Sequence, residues 1–144
     1  MFISADQILA ALVGDYILQS HTMAIRKVMN STYAFYHSLI YSLPFFFLTA
    51  NPLAILVIIA THFVIDRWRL ARYFVWFKNY IFHPHIRPGE ITATGFPEET
   101  PIWLAGWLMI IVDNIFHIVC NGLALRYAQP GFILDRWFNA MMSY

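Results

Sequence analysis

Four long apolar segments constrain the fold of this chain more than any other feature. They run roughly over residues 5–20, 31–49, 52–66 and 101–125. Backbone N–H and C=O groups in lipid must be paired within their own segment, so each segment is expected to be helical. The first is short, because a bilayer core needs about 20 helical residues. The sequence predicts an all-α, polytopic membrane protein with about four transmembrane helices in a bundle.

Composition agrees with a membrane protein and argues against other classes. Charged residues make up 12% of the chain, against about 25% in an average soluble domain. The net charge of +1 lacks the basic excess of a nucleic-acid binder, so no nucleic-acid partner is expected. Cys120 is the only cysteine, which excludes an internal disulfide and a cysteine-based zinc site. With 144 residues, the chain is predicted to be one membrane domain, 1–144.

Basic residues are divided unevenly between the two sides of the predicted bundle. Seven of the nine lie in the connections 21–30 and 67–100. Cytoplasmic loops carry the excess of Lys and Arg. Both connections are therefore predicted to be cytoplasmic and both termini outside. The amino-terminal end lacks the charged region and cleavage motif of a secretory signal, so the first segment is expected in the mature protein.

The connection after the third segment begins with basic and aromatic residues, 67–78. This mixture is typical of an amphipathic helix at the membrane interface. A simple extension of the third helix explains the pattern equally well. The histidines outside the apolar segments, His21, His83 and His85, are interpreted as exposed and without a site.

Two pairs of ionisable residues interrupt the apolar segments. His62 and Asp66 lie in the third segment, and Asp113 and His117 lie in the fourth. Residues four apart on a helix point the same way. An ionisable group in hydrocarbon costs at least about 2.5 kcal/mol, so such a group usually has a function. We therefore expect the two pairs to form the two halves of one polar site.

Six residues, from all four segments, are candidates for a divalent-metal site. The predicted topology places Asp15 and His37 in the same cytoplasmic half as the two pairs. The candidate ligands are Asp15, His37, His62, Asp66, Asp113 and His117. Imidazole and carboxylate suit zinc, as one or two ions, with manganese or iron as alternatives. Gln19 and Asn114, or Asn121, are expected to orient the ligands.

The same residues also fit two functions without a metal. Interhelical His–Asp hydrogen bonds would hold the bundle together. A chain of titratable groups would carry protons or ions across the membrane. Arg67 and Arg69 are either snorkelling interface anchors or contacts for a phosphate group beside the site.

The chain resembles a family of small bacterial and phage integral membrane proteins of unknown function. The matching residues are Gly14-Asp15-Tyr16-Ile17-Leu18-Gln19, His37, His62 with Asp66, and Asp113 with His117. The resemblance covers nearly the whole chain. It implies a fold, a membership and a location in the bacterial cytoplasmic (inner) membrane, but not an activity.

A more distant similarity is to the LexA-regulated, membrane-bound metal-dependent hydrolases. It rests on Tyr36-His37-Ser38-Leu39 and on His62 to Asp66. It implies hydrolysis at an intramembrane metal. That family has a His-rich element near its amino-terminus, whereas this chain has Asp15 there instead.

The leading hypothesis is a metal-dependent membrane hydrolase acting on a lipid or lipid-linked phosphoester, with Asp15 or Asp66 as general base. The alternative is a non-enzymatic membrane protein whose cluster is a structural metal or hydrogen-bond lock and which works by binding partners. An entry path and an open coordination position would distinguish an enzyme from a lock. The oligomeric state is not readable from the sequence.

Overall fold

All regular secondary structure in the described part of the chain is helical, which confirms the all-α fold class. The computed structural model describes residues 3–82 and 91–128; the predicted exposed histidines His83 and His85 lie outside these ranges. The helices are α1 (Ala5–Leu12), α2 (His21–Arg26), α3 (Ser31–Ser42), α4 (Pro52–Trp68), α5 (Leu70–Phe82) and α6 (Ile102–Tyr127). A π-helical turn, Val13–Ile17, continues α1, and a 3₁₀ turn, Leu43–Phe47, continues α3.

Local side-chain caps fix where four of the helices begin. Ser4, Ser20, Asn30 and Asn51 each accept a hydrogen bond from a backbone N–H in the first turn of the following helix. A cap of this kind stabilises a helix by about 1 kcal/mol. Pro52 suits the first position of α4, since an N–H there has no partner within the helix. These helix starts are therefore encoded locally.

The chain turns sharply between α4 and α5 at Arg69. This residue has a φ of +51°, a left-handed conformation that is uncommon for residues other than glycine. Its N–H ends α4 by donating to the carbonyl oxygens of Ile65 and Asp66. Because of this break, α5 is a separate helix and not an extension of α4. It packs on α6, where the rings of Phe74 and Phe116 lie 5.3 Å apart.

Among the described helices, α6 alone is long and apolar enough to cross a membrane. Its best 18-residue window has a mean hydropathy of 1.8 and is only 22% buried. By comparison, the 17 residues of α4 extend about 26 Å, less than a hydrocarbon core of about 30 Å. Length and composition thus support one candidate span, and the four-span bundle stays a prediction.

The core lies where α1, α3, α4 and α6 meet. Small residues, including Ala10 and Gly14, line the buried side of α1 and its π turn, which lets the backbones approach closely. A Cβ on Gly14 would lie 2.7 Å from both the carbonyl oxygen and ring atom Cδ2 of Tyr41. Toward α6, the buried side-chain amide of Gln7 in α1 donates a hydrogen bond to the carbonyl oxygen of Ile118. These contacts bring the π turn to the centre of the molecule.

Candidate metal centre

The structure brings all six candidate ligands together between α1, α3, α4 and α6. Asp113 has a 28% exposed side chain, and the other five residues are buried. The potential ligand atoms fall into two groups, each with its atoms within 4.8 Å of one another. The buried group consists of Asp15, His37, His62 and Asp66, and the outer group consists of Asp66, Asp113 and His117. Asp66 belongs to both groups.

Asp15 reaches the buried group from the π-helical turn. Single π turns inside helices occur frequently at functional sites. Here the turn, together with the close approach of Gly14 to α3, places Oδ1 of Asp15 3.2 Å from Nε2 of His37. Gln19, one helical turn later, donates to the backbone carbonyl of Asp15 at 3.0 Å. Gln19 therefore supports the backbone of Asp15, not its carboxylate.

The spacing of the buried group is compatible with one metal ion. Nε2 of His37 lies 3.2 Å from a carboxylate oxygen of both Asp15 and Asp66. Nε2 of His62 lies 3.7 Å and 3.0 Å from the same two oxygens. Tetrahedral ligands at about 2.0 Å from zinc are about 3.3 Å apart. Four ligand-to-ligand distances in the buried group are thus close to those around a single ion.

Two imidazole nitrogens at the centre, Nε2 of His62 and Nε2 of His117, are buried without a well-directed hydrogen bond. Buried polar atoms are nearly always paired, and leaving one unpaired costs about 1–3 kcal/mol. A cation bound among these atoms would satisfy them, so the arrangement is compatible with a bound metal ion.

Asp66 connects the buried group to the outer group. Its Oδ2 faces His37 and His62, whereas its Oδ1 lies 3.5 Å from Nε2 of His117. The same His117 nitrogen lies 3.5 Å from Oδ2 of Asp113. The outer group offers three ligands, the number usual at a catalytic zinc that keeps one position open.

Lys27 is a member of the site that sequence reasoning missed. Its Nζ lies 2.8 Å from Oδ2 of Asp66, 3.2 Å from Nε2 of His37 and 3.9 Å from Oδ1 of Asp15. In the sequence, Arg26 and Lys27 are equivalent basic residues of one connection. No local signal separates them, and only the placement of α2 brings Lys27 inward.

Tyr41 was also missed, although the spacing offered a signal. It follows His37 by four residues and so lies on the same face of α3. Its ring stacks on the imidazole of His62, with the centroids 3.6 Å apart and 20° between the planes. Its hydroxyl accepts a hydrogen bond from Nδ2 of Asn121 at 2.6 Å. Asn121 thus holds Tyr41, and Tyr41 holds the ring plane of His62.

We expect Tyr41→Phe to lower the free energy of unfolding by about 1–3 kcal/mol, because the buried amide of Asn121 loses its partner. Metal content should stay at the wild-type value, since the stacked ring remains. Tyr16→Phe is the matched control: it breaks a similar bond from Asn114, but at an exposed site, and should cost less than about 0.5 kcal/mol. Denaturant unfolding in detergent measures both variants. Equal losses would contradict the assigned role of burial.

A pocket of about 320 Å³ opens beside the outer group. Its charged lining consists of Lys27, Asp66, Arg69 and Asp113. The pocket leads from the surface to two of the candidate ligands, Asp66 and Asp113. At its wall, burial lowers the pKa of the Arg69 guanidinium from its usual value, and the neighbouring Arg72 shifts this pKa further in the same direction.

Two other predicted residues have partners away from the ligand atoms. The guanidinium of Arg67 donates to Oγ of Ser31 at 3.0 Å and to the carbonyl oxygen of Val28 at 2.9 Å. Nδ2 of Asn114 donates to the hydroxyl of Tyr16. Arg67 thus fixes the segment that carries Lys27, while Arg69 is the arginine placed at the pocket.

Comparison with known proteins gives one result. A family model described as "Protein of unknown function (DUF3307)" matches residues 3–129. No curated protein and no solved structure matches the chain. The match confirms the predicted resemblance to a family of unknown function, and any activity has to be argued from the geometry of the site.

Proposed function

The chain belongs to the DUF3307 family, and we propose that this member is a metal-dependent membrane hydrolase acting on a lipid or lipid-linked phosphoester. The observation that carries the proposal is the pocket that reaches Asp66 and Asp113 beside a buried set of ligands at zinc spacing. An entry path of this kind favours a catalytic centre over a closed structural one.

Exposed apolar side chains support the membrane part of the proposal. On α6, Ile102, Trp103 and Trp107 are 89%, 69% and 63% exposed. Large exposed apolar surfaces mark contacts with lipid or with other proteins, and tryptophans are enriched at membrane interfaces. In the proposed arrangement α1, α3, α4 and α6 form a four-span bundle in the bacterial cytoplasmic membrane. The connections 21–30 and 67–100, and with them the pocket mouth, face the cytoplasm.

Each residue of the site is assigned a role in the proposed hydrolysis from its position. A bound divalent ion makes water a better nucleophile at neutral pH and polarises a phosphoryl group. Asp15, His37 and His62, together with Oδ2 of Asp66, would hold the ion in the buried group. Asp66 lines the pocket, and we assign it the role of general base through Oδ1, the oxygen that faces the outer group. Asp113, at the pocket wall, would orient the water or bind a second ion.

Metal content tests the proposal directly. We expect detergent-purified wild-type protein to carry one or two zinc, manganese or iron ions per chain by elemental mass spectrometry. The double variant His62→Ala/Asp113→Ala should lose them, because both ligand groups are damaged. His21→Ala/Asp6→Ala changes the same residue types at exposed positions and should keep them. A folded wild-type protein without divalent metal would refute the hydrolase.

A structural metal lock is the second candidate, because the four ligands of the buried group would saturate a tetrahedral ion. A lock predicts that a chelator lowers the unfolding temperature while no phosphoester is hydrolysed before or after metal removal. The hydrolase predicts release of phosphate from a short-chain phosphatidic acid, which stops when the chelator is added and resumes with zinc.

A further inference from the structure

We infer that Lys27 and Arg69 form a phosphate-binding subsite at the pocket, and that it holds the phosphate group of an ester with an apolar chain. The inference rests on the proposed metal centre and deepens it. Lys27 lies just beyond the last residue of α2 and Arg69 just beyond the last residue of α4. Both line the pocket that reaches Asp66 and Asp113.

Lys27 shares its contacts with the atoms that would bind a metal ion. Its ammonium group lies 2.8 Å from Oδ2 of Asp66 and 3.2 Å from Nε2 of His37. A divalent ion bound to those atoms would repel the ammonium group at this distance. The flexible four-carbon stem of lysine allows Nζ to turn toward the pocket. An anion in the pocket then supplies the partner that Lys27 needs.

The metal-loaded site carries a positive formal charge. When the histidines are neutral metal ligands, three carboxylates (Asp15, Asp66 and Asp113) and two cations (Lys27 and Arg69) contribute a charge of −1. One divalent ion changes the charge to +1, and a second changes it to +3. The metal-loaded site therefore attracts an anion. Because the charge lies beside the pocket, the anionic part of the ligand belongs there.

Arg69 is held in place for such a ligand. Its left-handed backbone, with φ +51°, joins α4 to α5. One guanidinium nitrogen donates to the carbonyl oxygen of Ala93 at 2.9 Å. A guanidinium has five N–H donors in a planar fork that matches phosphate oxygens. A group that is already positioned loses less freedom when it binds a ligand.

The apolar lining of the pocket selects between sources of phosphate. Ile25, Val28 and Met109 lie in the same lining as the two cations. Inorganic phosphate would leave these side chains in contact with water, whereas an alkyl chain would cover them. The ligand class we assign is therefore a phosphate ester of an apolar alcohol, as in a lipid phosphate.

Calorimetric titration of the zinc-loaded, detergent-purified full chain tests the subsite, with butyl phosphate and inorganic phosphate as probes. Lys27→Met and Arg69→Met should each weaken butyl phosphate binding at least about tenfold, the size of a charge-assisted hydrogen bond. Lys27→Arg should restore most of the affinity. Arg26→Met is the matched control, because it removes an adjacent charge whose guanidinium binds the hydroxyl of Tyr33. It should stay within about twofold of wild type.

Each outcome decides a separate point. Equal butyl phosphate affinity in wild type, Lys27→Met and Arg69→Met would overturn the subsite, even if zinc content is normal in all samples. Wild-type protein that binds no divalent metal ion would refute the metal centre, while binding that depends on Lys27 and Arg69 would still support the subsite. Butyl phosphate binding at least about tenfold tighter than inorganic phosphate supports the assigned ligand class. Equal affinities would overturn that class and assign the subsite to free phosphate.

Discussion

Asp66→Asn should strip the protein of bound metal, whereas Asp113→Asn should leave one ion in place. Asp66 is shared by both ligand groups, and its two oxygens lie 3.0–3.5 Å from Nε2 of three histidines. An amide has no negative charge to offset a divalent ion. Loss of an orienting partner alone costs 10- to 100-fold in metal affinity, so loss of this ligand should weaken zinc binding by at least about 100-fold.

Competition with a chelator of known affinity measures zinc binding in the two variants. Asp113→Asn keeps the complete buried group, so its tightest zinc affinity should match that of wild type, while the proposed hydrolysis should stop. Asp6→Asn removes an exposed carboxylate from the first turn of α1 and serves as control. Full zinc content in Asp66→Asn would contradict the central position assigned to this carboxylate.

Gly14→Ala and Gly106→Ala should change stability in opposite directions. A Cβ on Gly14 would lie 2.7 Å from the backbone carbonyl of Tyr41, so the π turn must move away from α3. We expect this overpacking to cost about 1–3 kcal/mol and to weaken zinc binding, because Asp15 moves with the turn. A Cβ on Gly106 would meet nothing within 4 Å, and alanine there should stabilise α6 by about 0.5–1 kcal/mol.

Denaturant unfolding in detergent and zinc content measure both glycine variants. The pair is matched, since each substitution adds the same methyl group to a helical glycine. Wild-type stability and full zinc content in Gly14→Ala would show that the close approach at Tyr41 is not needed to place Asp15. A loss of stability in Gly106→Ala would show that the face of α6 that carries Gly106 is packed against a neighbour.

Spacing and composition alone determined a large part of the candidate site. His62 with Asp66, and Asp113 with His117, are pairs within one helix, and helical geometry makes each pair face one way. The helix starts are also local, because Asn30 and Asn51 cap the helices that follow them. Long apolar segments were likewise sufficient to predict helices, because the backbone groups of such a segment are paired within the segment itself when it is helical.

Helix packing decided what joins the two pairs. Asp15 meets His37 across 22 positions of sequence, through a π turn that no apolar pattern reveals. Lys27 enters the site while Arg26 stays outside, although both are basic residues of one connection.

The reach of each interaction along the chain explains the division. Caps and i,i+4 pairs depend on neighbours within one helical turn, so the sequence by itself determined them. Arg67 bonds to the carbonyl of Val28 while Arg69 lines the pocket, a difference that depends on where α4 ends and how α2 lies against it. Contacts between distant segments depend on the relative placement of whole helices. Only the tertiary structure therefore decided which charges meet the His/Asp cluster.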